Sequence, residues 1–249
     1  MASNNFSSTA VNLEQNLVDS ILQLIFPARC LFCGTVLRTD AVKPLCPLCT
    51  DPKLPLGQIC QHCGKINGLA RKSDCCSLTG TSLQGLIALC YYDQRWRKLL
   101  HDLKYRGKRH LARPLGRWLA GEIKNCSYIK PQIITAVPLH RNRKAERGYN
   151  QSALIARFTA KYLGVKYVDV LIRTRETESQ TRLTRSARLK NVKGAFVCRA
   201  DDLHNTRILL IDDIFSTGTT MSEAAKVMAK KGALVYGAVV AYNPFRSDL

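Results

Sequence analysis

The stretch Ile208 to Met221, ILLIDDIFSTGTTM, constrains the chain more than any other. Ile208 to Ile211 is an unbroken apolar run, the pattern of a short strand buried on both faces. Two carboxylates, Asp212 and Asp213, follow at its carboxyl end. Small hydroxylated residues then surround one glycine: Ser216, Thr217, Gly218, Thr219 and Thr220. A helix is expected from there to about Lys231, with Gly232 as its stop signal.

Each part has a chemical use. The free amides of a strand-to-helix turn, backed by a helix N-terminus, form a site for a phosphate. Gly218 lets the backbone come close, and the hydroxyls add donors. The two acids sit where an open parallel sheet places its ligands. Paired ionised acceptors beside a phosphate cradle suit a ribose diol, one carboxylate per hydroxyl. The turn lacks the Lys-Ser/Thr ending of a Walker A loop, so a nucleoside triphosphate is not expected. A buried strand ending in an ordinary acidic helix cap is the plainer reading. The apolar run, acid pair, spaced hydroxyls and glycine together count against it.

The segment resembles the phosphoribosyl pyrophosphate (PRPP) motif of type I phosphoribosyltransferases. The resemblance implies that Asp212 and Asp213 hold the ribose hydroxyls, and that Ser216 to Thr220 hold the 5-phosphate. Purine salvage members usually carry an aspartate where this chain has Ser216, which argues against a hypoxanthine-type enzyme.

The chain has 249 residues and a net charge of +20. That length accommodates one α/β domain and a small appendage. The charge implies an anionic partner: a phosphorylated metabolite, nucleic acid or an anionic membrane surface. No secretion signal is visible at the N-terminus. The apolar run Leu17 to Phe26 is too short to span a bilayer and contains Asp19 and Gln23. A cytoplasmic location is the expectation. Leu13, Leu17, Ile21, Leu24 and Ile25 recur at helical spacing, so residues 12–26 read as an amphipathic helix.

Eleven cysteines in such a chain point to metal more than to disulfides. Cys30-Leu-Phe-Cys33 and Cys46-Pro-Leu-Cys49 are two CxxC knuckles at the spacing of a structural zinc site. Four thiolates leave no open coordination position, so folding energy is expected there and not catalysis. A second site would draw on Cys60 and Cys63 with Cys75 and Cys76. Adjacent cysteines rarely both reach one metal, so His62 or a cysteine such as Cys90 stays open as the fourth ligand. Cys90, Cys126 and Cys198 otherwise read as packed thiols.

Leu83 to Tyr92 reads as a strand. Trp96, Leu99, Leu100 and Leu103 then make a helical stripe among Arg95, Arg97, Lys98, Lys104, Arg106, Lys108 and Arg109, a basic face that can bind phosphates but reads most simply as solvated. A second helix is expected from about His110 to Lys124. Ile133 to Val137 is another buried strand. It leads into PLHRNRKAERGYNQ, read as a basic loop with Arg141, Arg143, Lys144 and Arg147 placed to grip a pyrophosphate. The following helix ends at Gly164. Lys166 to Ile172 is strand-like. Residues 173–191 are polar and mostly cationic, and read as a lid closing over the ligand. Leu234 to Tyr242 is the last strand.

This layout is similar to that of the ComF family (ComFC-type proteins). The knuckles, the VPLHRNRKAERGYNQ segment, TESQTRLTRSARLKNVKGAF and LLIDDIFSTGTTM carry the match, over about residues 28 to 243. The adjacent pair Cys75-Cys76 departs from it. The resemblance implies a type I phosphoribosyltransferase-like parallel sheet flanked by helices, with a Cys-rich zinc ribbon before it. The domains are then an N-terminal helix over 1–27, the ribbon over 28–80, and the phosphoribosyltransferase-like domain over 81–249. It implies structural zinc, magnesium with PRPP, pentosyl transfer, and a part in natural transformation and DNA uptake. Candidate PRPP contacts are Val137, Pro138, Leu139, Arg141, Arg143 and Lys144 beside the acid pair and the 216–220 turn. Arg147 joins the acids as a catalytic candidate, and Gln180 and Arg188 belong to the lid. The alternative reading is a non-catalytic adaptor that keeps the fold and binds single-stranded DNA or competence proteins, motivated by the charge and by Tyr91, Tyr92, Trp96, Tyr105 and Trp118.

Overall fold

The apolar runs beginning at Leu83, Ile208 and Leu234 become three neighbouring strands of one parallel sheet. The computed structural model describes residues 27–38, 43–50, 82–126, 129–176 and 191–243. The chain divides into two units, Met1–Thr50 and Asp51–Leu249.

The second unit runs β1 (Leu83–Tyr91), α1 (Gln94–Tyr105), a 3-10 turn (Arg109–Leu111), α2 (Ala112–Lys124), β2 (Ile133–Ala136), α3 (Arg141–Arg147), α4 (Gln151–Leu163), β3 (Lys166–Tyr167), β4 (Leu171–Arg173), β5 (Phe196–Cys198), β6 (Arg207–Phe215), α5 (Thr219–Ala229) and β7 (Leu234–Tyr242). The main sheet has the order β1-β7-β6-β2-β3, with every pair parallel. β4 and β5 form a separate antiparallel ribbon.

Both faces of the sheet are covered, as a parallel sheet requires. On one face Met221, Ala224, Ala225 and Met228 of α5 meet Ile208, Leu210, Val235 and Val239, with Leu171 and Phe196 from the ribbon. Met228 is fully buried, and truncating such a side chain to alanine costs roughly 2–5 kcal/mol. Leu209 and Ile211, at the alternate positions of β6, are also fully buried. On that second face α2 and α4 pack against each other and the sheet. Polar caps start the helices. Asp93 accepts from the Trp96 amide at 2.9 Å before α1, and Asn150 accepts from the Ser152 amide at 3.0 Å before α4.

The structure alters some expectations. The basic segment after β2 is not a loop, because Arg141–Arg147 forms a helix. Its residues are mostly good helix formers. His140 caps its start, and Gly148, in the left-handed region at φ 74°, ends it. The stretch Lys166 to Ile172 is two short strands in different sheets. β6 runs through the acids to Phe215, and α5 ends at Ala229. Cys90 is a core residue of β1, its thiol donating to the Val240 carbonyl at 3.0 Å. The expected helix over 12–26 lies outside the described residues. Among the described residues no helix is long and apolar enough to cross a membrane.

Candidate functional site

β2 and β6 lie side by side and run parallel, with Ala136 opposite Ile211. The Val137 amide extends the ladder, donating to the Ile211 carbonyl at 2.9 Å. The acid pair, still within β6, and the cationic segment that follows the end of β2 therefore lie at the same carboxyl edge of the sheet. In an open parallel sheet that carboxyl edge is where ligands bind.

Successive strand residues point to opposite faces, so the two acids find different neighbours. Asp213 is buried and makes an ion pair through Oδ2 with the Nζ of Lys104, at the end of α1. The Gln151 side chain also bonds to it. Asp212 is half-buried. Its Oδ1 accepts from the Ser152 hydroxyl at 2.8 Å and from the Asp213 amide at 2.9 Å.

These surroundings separate the two acidities. Burial, then the adjacent Asp213 charge, push the Asp212 carboxyl up to about 7. Burial acts the same way on Asp213, but the Lys104 ammonium outweighs it and holds that carboxyl below the usual range. For Lys104, burial opposes the charge, and Asp213 more than compensates, raising the ammonium above its ordinary value. Arg173, at the end of β4, is buried with its charge felt by Asp212. Burial, then the charge of Arg143, lowers its own pKa.

After Phe215 the chain turns through Ser216, Thr217 and Gly218 into α5. Gly218 sits at φ 71°, and a Cβ there would lie 2.5 Å from the Phe215 ring. Only glycine fits this position without strain. The Thr217 and Thr219 hydroxyls are 2.9 Å apart. The first amides of α5 have no partner within the helix by its geometry, and the helix dipole adds partial positive charge there. The turn thus has the donors that a phosphate needs.

The cations of the 141–147 segment divide into two groups. Arg141 and Lys144 are exposed and Arg143 is half-buried. Arg147 is pinned: its guanidinium lies 4.5 Å over the Tyr105 ring, Nη2 donates to the Tyr105 hydroxyl at 2.8 Å, and Nη1 to Gln151 Oε1 at 3.3 Å. Pro138 and Leu139 are half-buried between the β2 end and α3. Asn150 Nδ2 ties the loop down by donating to the Val137 carbonyl at 2.9 Å. The Tyr149 hydroxyl donates to the Leu103 carbonyl, joining this element to α1.

Lys104 and Ser152 stand at the acid pair without a specific role in the sequence pattern. Gln151 ends the basic segment that carries the resemblance, and Arg173, the expected start of the lid, is instead the last residue of β4. The spacing of Lys104 from Trp96 and Leu100 places it on the border of the apolar stripe, which was the available clue. The expected lid residues Gln180 and Arg188 lie outside the described residues, as do Cys60, His62, Cys63, Cys75 and Cys76.

In the first unit, Cys30, Cys33, Cys46 and Cys49 bring their sulfurs within 4.8 Å of one another. Gly34 closes the first knuckle, its amide donating to the Cys30 carbonyl at 3.0 Å. The Cys49 amide does the same to the Cys46 carbonyl at 3.0 Å in the second. The Thr35 hydroxyl, 3.2 Å from the Cys33 sulfur, helps hold that thiol down to about 6. Four converging thiols, two of them buried, suit a tetrahedral metal ion.

Comparison with known proteins agrees with this geometry. Residues 149–247 match the family described as the phosphoribosyl transferase domain. The sheet and this match define a phosphoribosyltransferase-like domain. Across most of its length the chain is also similar to two bacterial proteins. It is 29% identical to the DNA utilization protein YhgH of Escherichia coli K12, over 82% of this chain and 85% of that one. It is 27% identical to competence protein F of Haemophilus influenzae, over 83% and 93%. Over most of its length the chain is thus similar to proteins named for competence and DNA utilization, and its C-terminal part matches the phosphoribosyl transferase domain. Among solved structures, the glutamine PRPP amidotransferase from B. subtilis aligns at 17% identity and TM-score 0.37, over 56% of this chain. The alignment spans 30% of that enzyme's length.

Proposed function

We propose that the chain binds PRPP with magnesium at the carboxyl edge of its sheet and transfers the phosphoribosyl group to an acceptor. Asp212 and Asp213 hold the two ribose hydroxyls. Ser216, Thr217, Gly218, Thr219 and Thr220 receive the 5-phosphate. Val137, Pro138, Leu139, Arg141, Arg143 and Lys144 line the pyrophosphate side. The supporting observation is the shared sheet edge, with the acid pair in β6 and the cations following the end of the adjacent β2.

Catalysis here is positioning and electrostatics, with no protein nucleophile. The sugar gains positive charge at its anomeric carbon as the pyrophosphate leaves. The acids hold the ring, and the cations of α3 receive charge on the departing group. Arg147 stays in the reading as a member of this set, held by Tyr105. Magnesium supplies further charge neutralisation when it arrives with the pyrophosphate.

The cysteine set fits zinc, held by Cys30, Cys33, Cys46 and Cys49 as a structural ion. The division into an N-terminal helix, a ribbon over 28–80 and a domain over 81–249 belongs to the same reading. The printed names of the relatives, DNA utilization protein and competence protein, support a role in handling DNA; a part in natural transformation and a cytoplasmic location belong to this reading. A second reading, an adaptor that holds single-stranded DNA, is favoured by the +20 charge and by Tyr105, which is 58% exposed beside Arg147.

Calorimetry with magnesium and PRPP tests the first reading. Binding is expected, and it is expected to vanish in Asp212→Ala/Asp213→Ala; binding that survives this change removes its basis. A salt titration of oligonucleotide binding tests the second, since phosphate contacts make affinity fall steeply with salt.

A further inference from the structure

We propose that Lys104 is a positioning residue of this site: it holds Asp213 in place and cancels its charge, so that an anionic sugar phosphate can approach the acid pair. The inference rests on the reading of the site as one for PRPP, and adds a residue from outside the matched segment 149–247.

Two carboxylates side by side in a half-enclosed place repel each other. They also repel any phosphate brought near them. The ligand proposed here is strongly anionic, so bare acids at the ribose end would oppose its binding. The structure resolves the conflict with a cation on each side. Lys104 faces Asp213 from α1, and the charge of Arg173, on β4, interacts with that of Asp212. These elements are far apart in sequence.

Lys104 is built into its position. Trp96, Leu99, Leu100 and Leu103 bury the stripe of α1. Lys104 follows at the border of that stripe, one turn after Leu100, and keeps only 20% of its side-chain exposure. Its stem lies along the apolar face while the ammonium reaches the acid. The charged groups facing it are Asp213 and Asp212 on β6 and Arg147 on α3. Those facing Asp212 are Asp213, Lys104 and Arg173, with the Ser152 hydroxyl from α4. The neighbouring Tyr105 carries Arg147. The end of α1 therefore sets both the counter-charge of the acids and the direction of one arginine.

An ordinary surface lysine can be removed with little effect. Lys104 cannot, because its loss leaves Asp213 buried beside a second acid without its counter-charge. Ribose 5-phosphate is a suitable probe, since it carries the sugar and one phosphate without the pyrophosphate. Its affinity, and that of PRPP with magnesium, are measured by calorimetry for the unaltered chain, Lys104→Met, Lys104→Arg and Lys104→Met/Asp213→Asn. Thermal melting of each is recorded. Lys104→Met is expected to weaken both ligands at least ~10-fold, and Lys104→Arg to keep them within ~3-fold. The double variant, which removes cation and anion together, is expected to regain the melting temperature lost in Lys104→Met and to stay weak toward both ligands, since Asp213 itself holds a ribose hydroxyl. Equal affinity in Lys104→Met overturns the proposal. So does a Lys104→Arg that melts like the unaltered chain and binds as weakly as Lys104→Met. If the unaltered chain binds neither ligand, the reading of the site fails and takes this inference with it.

Discussion

The Ser152 hydroxyl donates to Asp212 Oδ1 at 2.8 Å, so the first turn of α4 holds one acid of the pair while Lys104 holds the other. That bond favours the ionised carboxylate and works against the burial that pushes Asp212 up to about 7. Removing it in Ser152→Ala raises the pKa further, and more of Asp212 is protonated at pH 7. A protonated acid accepts less well from a ribose hydroxyl. A bond to a charged group is worth roughly 1.5–3 kcal/mol, so a loss of PRPP affinity of about 10-fold is expected near pH 7. The loss shrinks toward pH 9, where the carboxylate is ionised in both proteins. Calorimetry across that range checks this, and a loss that does not vary with pH contradicts it.

Asp212 also makes a prediction about stability without ligand. Its folded-state pKa lies at about 7, above the ordinary value of 3.8. Between those values the folded chain holds a proton that the unfolded chain has lost. Stability contributed by this group therefore falls as pH rises from about 4 to about 7, and is flat above. Asp212→Asn does not titrate. Its melting temperature is expected to match the unaltered chain at pH 4 and to exceed it at pH 8. The gain is on the order of 2–4 °C for each kcal/mol of strain relieved in a domain of this size. Equal melting at both pH values counts against the burial of this carboxyl.

Gly218 ties the strand to the phosphate turn. In Gly218→Ala the new methyl meets both a left-handed backbone and the Phe215 ring, 2.5 Å away. Urea unfolding is expected to show a loss of about 1–3 kcal/mol. Ligand affinity falls with it, since the amides of the turn are displaced. Unchanged stability and affinity mean that the turn relaxes freely, which the packing of Phe215 against Tyr242 opposes.

The cysteine set gives a compositional test. Cys30→Ser or Cys46→Ser removes one buried ligand from a set of four. Each variant is expected to lose one equivalent of zinc by elemental analysis. Zinc content that does not change places the ion elsewhere.

The parts of the site that are contiguous in sequence were legible there. The strand, acids, hydroxyls and glycine of 208–221 act through local geometry, and the chain order states them directly. The shared edge of β2 and β6 was legible as well, because two strand-then-ligand-segment patterns in a parallel sheet end on the same side. The helical form of Arg141–Arg147 was hidden by its charge density, which reads as loop, although His140 and Gly148 flank it as caps. The partners of the acids were not legible. Lys104, Ser152 and Arg173 reach Asp213 and Asp212 only after helices and ribbon have packed on the sheet. A lysine at the margin of an apolar stripe was the one trace of this in the sequence.

Phosphorus NMR of PRPP tests the central claim most directly, because its 5-phosphate and pyrophosphate give separate resonances. With magnesium and the unaltered chain, both sets are expected to shift or broaden in a saturable titration. In Gly218→Ala the change at the 5-phosphate is expected to be the more diminished, and in Asp212→Asn/Asp213→Asn both are expected to be lost. Resonances that stay where they are in the presence of the unaltered chain contradict the account.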